Sequence, residues 1–245
     1  MAEWWSHLMQ QIALWWQNFA HDFTLAFIEK ARWKFLTNGL ANTLIITVFA
    51  VMIGIVLGFI VSIIRTTHDK TGRLKFPNAL CHIYLTVIRG TPVMVQIMIT
   101  YYVIFAAAPA RFKIPIAILA FGINSGAYVA EIFRSGINAI DAGQFEAGQS
   151  LGFNYRQTMW HIVMPQAFKN VIPTLANEFI VLIKETSVAG YIAVEDLTRG
   201  AFNIGGALYN YTLPLLAAAL IYLMITMALS FGVSKLERRL KRSER

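Results

Sequence analysis

Residues 38–64, "NGLANTLIITVFAVMIGIVLGFIVSII", carry no charge at all. A bilayer core of about 30 Å takes roughly 20 helical residues, so this run predicts a membrane-crossing helix. Four further runs have similar character, at residues 91–108, 114–133, 171–193 and 212–234, and the pattern predicts five transmembrane helices. Gly54 and Gly58 lie one turn apart in the first, a small-xxx-small face for close helix packing. "FPNALCHIYLTVIRG" reads as an amphipathic lead-in to the second, and "RGTP", Arg89 to Pro92, as structural: an Arg placed to snorkel and a Pro at a helix start.

Residues 1–37 have a different rhythm. Trp5, Leu8, Ile12, Trp15 and Phe19 recur three and four apart, giving one apolar face with Trp-rich ends. That predicts a helix lying in the membrane interface or packed on the protein's own surface. The basic stretch that opens a signal peptide is missing. Residues 134–170, between the third and fourth spans, are too polar to cross and too periodic to be a linker. Asp141 is placed to cap a helix, and Phe145, Ala147, Leu151, Tyr155, Met159 and Ile162 recur at helical spacing. Two short helices are expected, joined at Gly152 and ending before Pro165.

Composition turns these elements into a membrane protein. The chain is 57% hydrophobic with 14% charged residues and mean hydropathy +0.55, against roughly 25% charged in soluble domains. Its net charge of +8 sits beside the apolar runs, where it serves topology and anionic lipid and not nucleic acid. A lone Cys81 allows no internal disulfide, and five scattered His offer no metal set. With Met1 outside, Lys30, Arg32, Lys34, Arg111, Lys113 and Arg199 face outwards, Lys184 lies within a span, and the other fourteen of the 21 Lys and Arg are cytoplasmic. The positive-inside rule therefore favours an outer N-terminus and an inner C-terminus, with residues 235–245 as a basic cytoplasmic tail.

"GQFEAGQSLG", residues 143–152, has the Gly spacing of a phosphate-binding loop. No strand precedes it, Gln149 stands where such a loop needs Lys, and Glu146 would repel phosphate, so the nucleotide reading fails.

"EAGQSLGFNYRQTMWHIVMP" instead resembles the EAA loop of ABC importer permeases, through Glu146, Ala147, a small residue at Gly148, Gly152, Ile162 and Pro165. Gly148 and Met164 depart mildly from the family's usual Ala and Leu. "IRGTPVMVQIMITYY", "SGAYVAEIFRSGI" and "PQAFKNVIPTLANEFIVLIKETSVAGYIAVEDL" resemble permeases of polar amino acid uptake systems, the histidine, glutamine and arginine type. The resemblance covers residues 38–234 and implies an all-α integral membrane protein with a type I importer permease fold. It implies a coupling helix seated in a separate ATPase subunit, and no cofactor in this chain, ATP and Mg being bound by that partner. Two ATP-binding subunits, a second permease (the same chain or a sister), an extracellular or periplasmic solute-binding protein and a polar amino acid substrate complete the implied assembly, in a bacterial inner membrane.

Carboxylates at membrane depth are costly unless paired or hydrated, so each is a functional candidate. Glu131 has Arg134 one turn on, which allows either a path residue or an interfacial ion pair. Asn177 and Glu178 fall within the fourth span, and Lys184 and Glu185 follow so that Glu178 shares a face with Glu185 and Asn177 with Lys184. A zwitterion could be complemented by such a mixed face, although Lys184 to Ser187 could equally form a gate or a packing contact. A secondary transporter is the alternative. It would show internal repeats with broken helices, and none is convincing here.

Overall fold

The computed structural model describes residues 2–242, the side chains of residues 2, 3, 6, 8, 241 and 242 excepted. The Leu8 side chain and residues 243–245 of the basic tail therefore lie outside the described residues. Among the described residues every regular element is helical, with no strand. The α-helices are α1 (Ala2–Phe23), α2 (Trp33–Thr71), α3 (Lys75–Gly90), α4 (Val93–Ile99), α5 (Lys113–Asn138), α6 (Ala142–Ser150), α7 (Tyr155–Thr158), α8 (Met164–Glu185), α9 (Leu197–Leu208) and α10 (Thr212–Arg242).

The centre of the fold is the pair α2 and α5. Gly58 makes their contact possible: a methyl there would sit 2.6 Å from Val129 Cγ1 and 2.7 Å from the Ala130 backbone nitrogen. Around this pair, Ile46, Ala50, Ile97, Phe121, Leu182 and Ile192 form a buried cluster. A second cluster, with Phe27, Leu36, Leu197, Ala201 and Ile204, joins α9 and α10 to the start of α2.

Among the described residues, three helical stretches are long and apolar enough to cross a membrane: α2, Ala110–Asn138 and Thr212–Leu240. A fourth exists if α3 and its continuation are one span, but the two are bent by 109°. The cause lies at Thr91 and Pro92. Thr91, preceding a proline, is extended (φ −123°, ψ 145°), and Pro92 cannot donate to the ladder. Gln96 repairs the break: its Nε2 donates to the Ile88 and Thr91 carbonyls at 2.7 and 3.0 Å, and its Oε1 accepts from Asn124 Nδ2 of α5 at 2.9 Å. The expected second span is thus α4 with a π-helical extension, Thr100–Ile104, only about 18 Å long at 1.5 Å per residue.

The fourth expected span is α-helical only to Glu185 and then tightens to a 3₁₀ segment, Thr186–Ile192. Lys169, Glu178, Lys184 and Glu185 all fall in α8, which keeps it from reading as a span by composition. The expected stop before Pro165 is not there. A π-turn over Met159–Val163 lets the Met164 N–H donate to Met159 O, and the widened turn carries the chain past the proline, whose missing N–H and ring would otherwise break an α-helix. Tyr155 to Glu185 is therefore one continuous helical rod.

Helix α1 does not pack on the protein's own surface. Its described side chains are exposed, apart from a half-buried Phe19, and Trp15, Phe19, Phe23 and Phe27 form a ladder of neighbouring rings with steps of 5.6, 6.3 and 5.0 Å. The chain then turns at Lys30 and Ala31, both at φ 50°, into α2.

Candidate functional site: coupling loop and polar cavity

Asp141 caps α6 by accepting from the Gly143 N–H at 2.6 Å. The helix ends in a glycine motif: Gly152, at φ 81°, donates its N–H to Gln149 O at 2.9 Å, and Phe153 donates to Gly148 O at 3.0 Å. This six-to-one and five-to-two pairing is the Schellman arrangement. The next helix opens on a capping box. Asn154 and Gln157 exchange backbone and side-chain hydrogen bonds at 2.9 and 3.0 Å. The joint therefore has defined geometry on both sides of Gly152.

Glu146, Ala147 and Gly152 are exposed on this loop, while Gly148 is buried against Thr158. Ile162 is half-buried within the π-turn and Pro165 is exposed. Leu151, one of the apolar residues at helical spacing, stands 72% exposed at the tip. Inward, Phe145 stacks on Tyr155 at 6.3 Å beneath Lys70, and Gln166 of α8 donates to Gln144 Oε1 at 3.1 Å. The loop is thus clamped to the rod that follows it.

That rod leads to a polar cavity of about 410 Å³ between α5 and α8, lined by Tyr128, Glu131, Ser135, Asn170, Thr174 and Glu178 among others. Glu131 is held by two cations: Arg134 at 3.0 Å and Arg89 at 3.5 Å. Arg89, expected to snorkel, pairs with Glu131 because α3 itself packs along α5, Cys81 and Leu85 clustering with Ala127 and Ala130. Glu178 accepts a hydrogen bond from Ser125 Oγ at 3.2 Å and has no ion-pair partner among the described residues. The structure brings Glu131 and Glu178 together in one cavity. Asn177 and Lys184 are exposed and Glu185 half-buried, and none of the three lines it. Sequence reasoning missed Asn170 and Thr174, although with Glu178 they stand four apart on one helical face, a legible signal.

At the far end of the molecule, Asp196 caps α9, accepting from Thr198 N–H at 2.8 Å and Arg199 N–H at 3.3 Å. Burial pushes its carboxyl up to about 6 from 3.8, against the opposing effect of those hydrogen bonds. A raised carboxylate pKa in the fold favours the protonated form, so its stabilising contribution is full below 3.8 and is lost as pH rises through 6. Thermal unfolding of the purified protein should show this loss, worth about 3 kcal/mol at 1.36 kcal/mol per pH unit, while Asp196→Asn, which keeps an acceptor for the cap, should not. An identical pH profile for both proteins would remove Asp196 as its source.

These features describe an all-helical protein with apolar helices long enough to cross a membrane, a capped loop helix, and a cavity beside the helical rod that follows the loop. Residues 54–242 match the family described as the inner membrane component of binding-protein-dependent transport systems. The chain belongs to that family, the permease subunits of ABC transporters. It is similar to the arginine transport system permease protein ArtQ of Bacillus subtilis strain 168, 39% identical over 86% of this chain and 94% of that one. The L-cystine transport system permease protein TcyB of the same organism is 36% identical over 88% and 90%. A crystal structure described as an amino acid ABC transporter with histidines superposes with TM-score 0.78 at 37% identity, covering 87% of this chain and 98% of that chain. The methionine transporter MetNI, at 16% identity and TM-score 0.71, shares the fold.

Proposed function

We propose that this chain forms half of the membrane path of an ATP-driven importer for polar amino acids, with α6 as its coupling helix. The observation that carries this reading is the uninterrupted helix from Tyr155 to Glu185: it starts at the Gly152 joint and carries Asn170, Thr174 and Glu178 along the polar cavity. A force applied to α6 by a partner ATPase reaches Glu178 through a rod and not through a flexible loop. The chain crosses five times, with α3 and α4 forming one broken span and α8 another, Met1 outside and the loop cytoplasmic. Residues 1–37 lie in the outer interface, residues 38–234 make the permease domain and residues 235–245 rest on the inner leaflet.

In this mechanism a loaded solute-binding protein docks outside, ATP and Mg close two ATPase subunits, and α6 carries the motion to the spans. A second permease, a copy or a sister, completes the path, because one such bundle does not enclose it. Glu131 is neutralised by its arginines, whereas Glu178 is left to receive a substrate ammonium, and the likeness to an arginine permease supports a basic amino acid. Glu178→Gln in the reconstituted importer should lower ATP-dependent uptake about tenfold or more, since a hydrogen bond to a charged group is worth about 1.5–3 kcal/mol, with basal hydrolysis unchanged. Uptake at the wild-type rate would remove Glu178 from the path.

A further inference from the structure

We infer that a separate cavity, between the cytoplasmic end of α2 and the helix that follows Gly152, holds the phosphate headgroup of an anionic phospholipid. The cavity measures about 740 Å³, and Thr66, Thr67, Arg73, Tyr155, Arg156 and Trp160 carry its chemistry. Two guanidinium groups and no carboxylate line it. Arg keeps its charge in any environment and matches phosphate oxygens with a planar fork. The Thr66 hydroxyl supplies an independent sign. Thr66 is only 2% exposed, and its Oγ has no hydrogen-bond partner among the described residues. Buried hydroxyls are normally paired, and a phosphate or ester oxygen in this cavity would accept from it.

The walls choose lipid over free phosphate. Ile63 and Met159 add apolar surface, and Trp160, 47% exposed, stands at the rim with Phe59 at 6.3 Å and Phe168 beyond. A free anion has no use for that strip, whereas acyl chains do. Trp at the rim and Lys70, Arg73 and Lys75 around the end of α2 suit the headgroup level of an anionic leaflet. This placement rests on the cytoplasmic position proposed for the loop. Arg73 follows α2 and Arg156 follows the Gly152 joint, so one bound headgroup ties the coupling loop to the first span.

Native mass spectrometry of the importer complex, purified with phosphatidylglycerol, tests the site without relying on transport. Wild type should retain phosphatidylglycerol on each copy of this chain. The double variant Arg73→Gln, Arg156→Gln should retain about fivefold less, and Thr66→Val, which keeps both charges, should also retain less. Inorganic phosphate should not displace the lipid. Equal retention in wild type and both variants would overturn the proposal, as would full displacement by inorganic phosphate, which would make this a free-anion site. Loss of the ATPase subunits from the double variant with lipid retention unchanged would assign the arginines to the subunit interface instead. Substrate-stimulated hydrolysis, followed in the same complex, reports on the permease reading separately: its absence at normal lipid retention would count against that reading and not against the site.

Discussion

Gly152→Val is expected to reduce substrate-stimulated ATP hydrolysis by the assembled importer at least tenfold, with the chain still folded and inserted. Gly152 sits at φ 81°, and a methyl added there would have nothing within 4 Å, so the new side chain meets no neighbour and acts through the backbone alone. Left-handed geometry costs an ordinary residue about 1–2 kcal/mol and a β-branched one more. A shift of about 1.4 kcal/mol changes a population tenfold, which is enough to disengage α6 from the rod beginning at Tyr155. Gly152→Asn supplies the control, because Asn tolerates this conformation and should restore most of the stimulation. Stimulation that survives Val, or that fails equally with Asn, would show that the angle of this joint is not what transmits the signal.

The second large effect is structural. Gly58→Ala should destabilise the bundle by about 1–3 kcal/mol, the usual cost of overpacking, lowering its unfolding midpoint by roughly 2–4 °C per kcal/mol. The reason is that one of the atoms in the way is the Ala130 backbone nitrogen, 2.7 Å from the added methyl, and backbone can yield only by parting α2 from α5. Gly58→Leu should abolish folded protein altogether. The comparison with Gly232→Ala, on α10 where the added methyl meets nothing, separates close packing from a general intolerance of the spans. Equal unfolding midpoints for Gly58→Ala, Gly232→Ala and wild type would contradict the packing account.

These two glycines also mark what could be read in advance. Gly58 announced a helix contact through its spacing from Gly54, and Gly152 announced a turn by interrupting a helical rhythm; both are local signals, and both correspond to real close approach or left-handed backbone. The all-helical architecture followed from long apolar runs for the same reason. What stayed hidden depended on groups distant in sequence. The 109° bend after α3 was written in Thr91 and Pro92, but its stability comes from Gln96 reaching both back along the chain and across to Asn124. Pro165 carried the usual signal of a helix end, which a π-turn overrides. Arg89 reads as a headgroup residue in sequence because its partner Glu131 lies 42 positions away along the chain and only 3.5 Å away in space. Of the polar candidates, Glu131 and Glu178 meet in the cavity, while Asn177 faces away since it is one residue, and so about 100°, around the helix from Glu178.

What drives transport is the deciding question. Uptake of radiolabelled arginine, glutamine and cystine would be followed in proteoliposomes containing this chain with its ATPase and solute-binding protein, with ATP inside, and compared with vesicles lacking the ATPase but holding an ion gradient. The expected result is uptake of a polar amino acid that needs ATP, the ATPase and the binding protein together. Uptake at the same rate from the gradient alone, without the ATPase, would contradict it and make the chain an ion-coupled secondary transporter.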